Sequence, residues 1–169
     1  MMNLAILGST GSIGETTLNI IRKNKNNFKI KLLSTNTNIK KIYHQAKNEN
    51  CEIYIGSDII EVSRVRSLIK SRGQRFLDKI FTNTEQKYCN SKSNPSIHYA
   101  GRFAAKEAVM KAIKSSGYKK SISFCSIGVA NSESGAPFVK TKFVFAGSCQ
   151  ITISHTDEYA TATALFISS

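Results

Sequence analysis

Past residue 52 the apolar patterning falls into two blocks, helical periods first and strand-like runs last, and this order constrains the fold class more than any other feature. Strands that alternate with helices build a parallel sheet, whereas strands gathered behind a set of helices build an α+β layer pair. The expectation is therefore α+β and not a doubly wound sheet. A short strand over Ile53 to Gly56 is followed by a helix from about Glu61 to Ser71 and a second apolar-periodic segment from Arg75 to Phe81. Thr82-Asn83-Thr84-Glu85 has the capping-box pattern and predicts the start of a further helix. Ser91 to Pro95 reads as a loop and Ile97 to Ser115 as the longest helix, with Gly117 as its stop. Strands are expected over Ile122 to Val129, Phe138 to Lys140, Gln150 to Ser154 and Tyr159 to Ile167, with Ser134-Gly135-Ala136-Pro137 as a connecting turn.

Two carboxylates in this pattern carry chemistry. Asp58 follows Tyr54, Ile55 and Gly56 at a strand end, and Glu107 lies on the long helix with Lys111 one turn further along the same face. Two acids on rigid elements make a seat for magnesium, which binds one or two carboxylates, keeps several waters and takes further ligands from phosphate. Blander readings stand beside this one. Glu107 and Lys111 at helical spacing can be a surface ion pair worth a few tenths of a kcal/mol, roughly. Asp58 can cap the helix that begins near Glu61, and capping and metal binding can coexist. His155, between Ser154 and Thr156 in a polar turn, suits a structural histidine as well as a ligand contact. His98 and His44 sit in no motif and read as surface residues.

These residues also carry a resemblance. Ile55-Gly56-Ser57-Asp58-Ile59 through Arg64, Phe81-Thr82 with Glu85, Gly101-Arg102-Phe103-Ala104-Ala105-Lys106-Glu107-Ala108 through Lys111-Ala112, and Ile153-Ser154-His155-Thr156-Asp157 with Tyr159-Ala160 occur in order. Asn131 followed by Gly135-Ala136-Pro137 makes a fifth block. From about residue 52 to the C-terminus the chain resembles holo-[acyl-carrier-protein] synthase, the bacterial 4'-phosphopantetheinyl transferase. The resemblance implies transfer of the phosphopantetheine arm of coenzyme A to a serine of acyl carrier protein, releasing adenosine 3',5'-bisphosphate. It implies Mg2+ held by Asp58 and Glu107, with Lys111 as a third catalytic residue. Arg102, Lys106, Lys111 and His155 become coenzyme A contacts. Arg64, Arg66 and Lys70, with Arg72 on the same helix, become the docking face for the carrier protein. A homotrimer with active sites between subunits is also implied.

The first fifty residues read differently. Leu4 to Leu7 is a buried strand, Gly8, Gly11 and Gly14 enclose a turn into a helix over Glu15 to Arg22, Phe28 to Leu33 is a second strand, and Ile39 to Ala46 a second helix. A glycine turn into a helix is the arrangement that seats a phosphate on a helix N-terminus. Ile6-Leu7-Gly8-Ser9-Thr10-Gly11-Ser12-Ile13-Gly14 with Thr17-Leu18 resembles the opening of 1-deoxy-D-xylulose 5-phosphate reductoisomerase, an NADPH enzyme of isoprenoid synthesis. Asn36 and Thr37 depart from that family's cofactor-phosphate residues, and none of its metal or substrate segments follows. Two parallel strands bury too little to hold a dinucleotide alone. Residues 1–51 are accordingly expected to be a truncated β-α-β-α Rossmann-like remnant without function, and residues 52–169 the transferase domain.

The net charge of +13 raises the question of nucleic acid. Residues 1–51 hold eight Lys/Arg against two acids and residues 52–169 sixteen against nine, so the excess is dispersed over both parts. Neither zinc-finger spacing nor an aromatic-basic RNA-binding strand is present, so no nucleic acid partner is expected. Complementary fields suit an acidic protein partner instead. No run of about twenty apolar residues occurs, which argues against a membrane span. The opening Met1-Met2-Asn3-Leu4 lacks a basic lead, and Cys51, Cys89, Cys125 and Cys149 have no paired spacing, so a cytoplasmic protein with reduced thiols is expected.

Overall fold

The computed structural model describes residues 2–6, 9, 11–24, 26–33, 41, 45 and 52–168. They divide into two compact units, Met1–Glu52 and Ile53–Ser169. In the first unit, strand β1 (Met2–Ile6), helix α1 (Ser12–Lys23) and strand β2 (Phe28–Leu33) follow one another, and β1 pairs with β2 in parallel. Leu18 and Ile21, three apart on one helix face, join Ile6 and Ile30 in a small core. The helix starts three residues earlier than its apolar period suggests, with Gly11 as N-cap. The expected second helix at Ile39 to Ala46, and His44 within it, lie outside the described residues apart from positions 41 and 45.

The second unit runs β3 (Ile53–Glu61), α2 (Val62–Arg72), α3 (Gln74–Ile80), α4 (Asn83–Asn90), α5 (Pro95–Ser115), β4 (Ile127–Asn131), β5 (Pro137–Thr141), β6 (Gly147–His155) and β7 (Tyr159–Ser168). Its five strands form one antiparallel sheet in the order β3-β7-β6-β5-β4. The opening strand thus inserts beside the closing one, which ties the two ends of this unit together. The architecture is α+β, as the order of patterns requires.

Three local expectations are corrected. Asp58 neither ends its strand nor caps a helix: β3 continues to Glu61, which takes the N-cap position, while Asp58 lies mid-strand opposite Ala162. Ile59 and Ile60 carry the β-branched run past the acid, and a strand already paired with β7 overrides one polar residue. The long helix begins at Pro95 and not at Ile97, because proline is tolerated where the first helical N–H has no partner to lose. The strand expected from Ile122 starts only at Ile127, after a short 3-10 turn over Phe124–Ser126. The capping box at Thr82 is present as expected: its hydroxyl accepts from Glu85 N, and Glu85 Oε2 accepts from Thr82 N at 2.7 Å.

Small side chains set how closely α5 lies on the sheet. Ala104, Ala105, Ala108 and Ala112 of the helix and Ala160, Ala162 and Ala164 of β7 are all buried. Gly56 completes this contact: a Cβ there would stand only 2.6 Å from Ala112 N and would strike the Ala108 carbonyl as well. Methyl against methyl over about two turns brings helix and strand near enough for polar side chains from both to meet at the margin.

Candidate active site

That margin holds the two acids. On β3 the even positions face the helix: Gly56 and Ile60 are buried, while Ile55 and Ile59 on the other face are exposed. The alternation turns Asp58 toward α5, where its side chain is 17% exposed. Lys111 reaches across to it, donating from Nζ to Asp58 Oδ1 at 2.8 Å and to the Ser57 carbonyl at 2.9 Å. Thr161 of β7 donates to the Asp58 carbonyl at 2.9 Å and so pins the strand from its other side.

Glu107 precedes Lys111 by one helical turn and feels Asp58. Burial, then the Asp58 charge, push its carboxyl above the usual carboxylate range, and Lys111 pulls the other way. A carboxyl whose ionisation is made costlier by a neighbouring acid marks a seat with a deficit of positive charge. Among the described residues no group of three or more His, Cys, Asp or Glu is assembled. Two hard oxygen donors, with the remaining positions left to water and phosphate, fit the habits of magnesium. They do not fit zinc, which prefers a full set of nitrogen and sulfur ligands.

The opposite end of α5 meets β6. Ile153 of β6 is in register with Ala162 of β7, and Ala162 with Asp58, so the strand row under the helix leads from the acid toward His155, two residues beyond Ile153. His155 is exposed at the end of β6, and its ring stands 5.5 Å from that of His98. His98 is half-buried on α5, which corrects its reading as a surface residue. No sequence signal marked it, since no motif contains it.

Of the residues expected at phosphate, Lys106 is corrected. It is fully buried, and its Nζ is taken by Glu85 Oε2 at 2.7 Å, the Ile80 carbonyl at 2.6 Å and the Phe124 carbonyl at 3.1 Å. Burial draws the ammonium below its ordinary value and Glu85 draws it back. The other oxygen of Glu85 accepts from Val129 N at 2.9 Å, so the pair ties α4, α5 and β4 together. Lys106 is a structural residue and not a phosphate contact.

Arg102, one turn before Lys106, is also nearly buried. It donates to Asn131 Oδ1 at 2.8 Å and lies 3.8 Å over the Tyr88 ring, while its Nε has no hydrogen-bond partner among the described residues. Arg64, Arg66 and Lys70 are exposed on α2. Arg72, Arg75, Phe76 and Lys79 extend that basic surface into a cleft of about 510 Å³ between α2 and α3; Arg75 and Lys79 had no place in the expected docking face. A larger cleft of about 600 Å³, lined among others by Asp78, Thr82 and Lys142, contains neither Asp58 nor Glu107, so volume alone does not locate the chemistry. Burial pushes the Cys89 thiol up to about 12 and the Cys149 thiol to about 11, which leaves both protonated at neutral pH.

Residues 54–164 match the 4'-phosphopantetheinyl transferase superfamily. The chain is 44% identical over 119 residues to a holo-[acyl-carrier-protein] synthase of Protochlamydia amoebophila, covering 68% of this chain and 97% of that one. It is 45% identical over 113 residues to the same enzyme of Chlorobaculum tepidum, covering 66% and 96%. Among solved structures it is similar to a holo-(acyl-carrier-protein) synthase from Bacillus anthracis in complex with CoA (3',5'-ADP), at 32% identity and TM-score 0.59 over 69% of this chain and 96% of that one. With a family match over most of its length and relatives covered almost end to end, the chain belongs to the 4'-phosphopantetheinyl transferase superfamily.

Proposed function

We propose that this protein transfers the 4'-phosphopantetheine arm of coenzyme A to a serine of an acyl carrier protein. The observation that carries the reading is the meeting of Asp58, Glu107 and Lys111 where β3 and α5 touch. Magnesium held by Asp58 and Glu107 would neutralise the pyrophosphate and polarise the phosphorus under attack. The serine oxygen bonds to that phosphorus, the bond to the adenosine 3',5'-bisphosphate oxygen breaks, and the serine proton passes to a base. Glu107 and a water at the magnesium are the two candidates for that proton. Lys111 is half exposed on a flexible stem and can turn from Asp58 to a phosphate oxygen, where its charge meets the charge that develops as the bond breaks. His155 and Arg102, whose Nε has no partner among the described residues, are the coenzyme contacts at the other end of the helix.

The basic surface of α2, with Arg64, Arg66 and Lys70, together with Arg72, Arg75 and Lys79 in the adjoining cleft, suits an acidic carrier protein. The outer face of β3 exposes Ile53, Ile55 and Ile59, which fits burial against further copies of this chain in a homotrimer. Neither of the two clefts is lined by an active-site residue, as suits a half-site that a neighbouring subunit would complete. Cytoplasmic location goes with this chemistry; among the described residues no helix is long and apolar enough to cross a membrane.

The test is the mass of an apo carrier protein incubated with coenzyme A, magnesium and the full chain. The expected result is a gain of one phosphopantetheine group, lost on chelation and reduced on the order of a hundredfold or more by D58A or E107A. Full activity in both variants would end the mechanism. For residues 1–51 the parallel β1-α1-β2 arrangement favours a second, separate reading as a remnant of an NADP-binding reductoisomerase. The family match begins at residue 54 and is silent about it. A flat calorimetric titration of the whole chain with NADPH is expected, because two strands bury too little to hold the dinucleotide; measurable affinity would make this unit a working module.

A further inference from the structure

His98 stands between a fixed ring and an unsupported one. On one side its imidazole meets Tyr88 edge-to-face, with centroids 5.9 Å apart. On the other it meets His155, also edge-to-face, at 5.5 Å and 76°. Tyr88 is itself held by the Arg102 guanidinium at 3.8 Å and the Lys92 ammonium at 4.6 Å. Arg102 in turn is fastened to Asn131 on β4. The sequence Arg102, Tyr88, His98, His155 therefore runs without a gap from the buried helix to the exposed end of β6.

His155 needs that support more than any other residue in the row. Its partner across the strand pair is Ala160, whose methyl group is too short to brace an imidazole. The turn that follows is organised by Thr156, whose hydroxyl accepts from Glu158 N and Tyr159 N, and those bonds hold backbone and not the His155 ring. Rings packed edge-to-face gain about 0.5–1.5 kcal/mol beyond the area they bury. That is enough to select one rotamer of an exposed side chain out of several.

The charge state of His98 suits it to this place. Burial lowers its proton affinity below the ordinary value, and His155 on β6, Arg102 on the same helix and Lys92 after α4 lower it further. Tyr88 is the remaining titratable group against it. A neutral ring can pack against an imidazole that meets a phosphate group without bringing a competing charge of its own.

We propose that His98 is a positioning residue for coenzyme binding: braced by Tyr88, its ring fixes the imidazole of His155 so that His155 meets a phosphate group of the ligand. The inference rests on the reading of His155 as a coenzyme contact. It assigns His98 no part in the reaction step, only in the orientation of its neighbour. A fixed donor loses less freedom on binding than a mobile one, so the effect falls on affinity.

The experiment is calorimetric titration of the full-length protein with adenosine 3',5'-bisphosphate, for wild type, H98A, H98F, H155A and the H98A/H155A double variant, at a temperature where each is shown to be folded. H155A should weaken binding about tenfold, as loss of one charge-assisted hydrogen bond does. H98A should weaken it several-fold, H98F should restore it by keeping an aromatic edge at the same place, and the double variant should bind no more weakly than H155A alone. In turnover, H98A should raise KM for coenzyme A and leave kcat near wild type, a split that general loss of stability does not produce. Wild-type affinity in H98A, failure of H98F to restore binding, or additive losses in the double variant overturn the role of His98 while leaving His155 in place. Wild-type affinity in H155A overturns the placement of His155 and this inference with it, and leaves the carrier-labelling test on Asp58 and Glu107 untouched.

Discussion

At the scale of single residues the site is an arrangement of unequal acids. Asp58 is tied to Lys111, while Glu107 has its carboxyl raised from an ordinary 4.5 by burial and by Asp58. A folded value above the unfolded one means that the metal-free fold prefers the protonated acid. Its contribution is present below pH 4.5 and is lost as the pH rises through the raised value. E107Q should therefore melt above wild type at pH 7 without metal, and the two should converge as the pH falls toward 4.5. Magnesium should raise the melting temperature of wild type but not of E107Q. Identical melting of the two metal-free proteins at pH 7 would show that no such repulsion exists. Glu107 and Lys111 were legible because their spacing and motif name them. The assignment of Lys106 to phosphate failed because sequence spacing says which residues share a helix face and not whether that face is covered. Only the closure of α4 and β4 over α5 turns a cation on the same helix into a buried strut paired with Glu85.

Among elements, the decisive contact is that of β3 with α5. It depends on the absence of side chains: Gly56 lies against the Ala108 carbonyl and the Ala112 amide, and alanines line the facing surfaces of α5 and β7. A methyl group at position 56 has backbone on the other side and nowhere to move. G56A should therefore cost about 1–3 kcal/mol in urea unfolding, the usual range for overpacking. It should also lower kcat with magnesium saturating, since the strand that carries Asp58 is pushed from the helix that carries Glu107. A variant with normal stability and normal kcat would mean that the approach of these elements is not what sets the distance between the acids. Helix and strand types were readable from apolar periods, and the α4 start was readable from its capping box. The extension of β3 through Asp58 was not, because pairing with β7 supplies hydrogen bonds that a local pattern cannot anticipate.

For the molecule as a whole, the sheet has one covered face and one open one. The open side of β3 presents Ile55 at 65% and Ile59 at 67% exposure, with Ile53 and Tyr159 beside them. A charge placed there leaves the core untouched and acts only on association. In the proposed homotrimer, I55D should shift the protein to monomer in sedimentation, keep its circular dichroism, and lose activity where the site needs a second subunit. An I55D protein with wild-type sedimentation would remove this face from the interface. The two basic surfaces, α2 and the cleft between α2 and α3, lie on the same unit as the acids, so part of the positive charge that composition alone left dispersed is gathered there.

Sequence alone determined the class of fold and the order of elements of the second unit, and it named the two acids that the structure brings near one another, because each of these rests on local information: apolar period, capping chemistry and motif spacing. Tertiary structure alone decided which of the cations remain available to a ligand, that Asp58 sits mid-strand, and that His98 stands beside His155. Those facts depend on burial and on contacts between segments far apart in the chain. Desolvation and ring packing exist only once distant elements have closed on one another, and no spacing along the chain encodes them residue by residue.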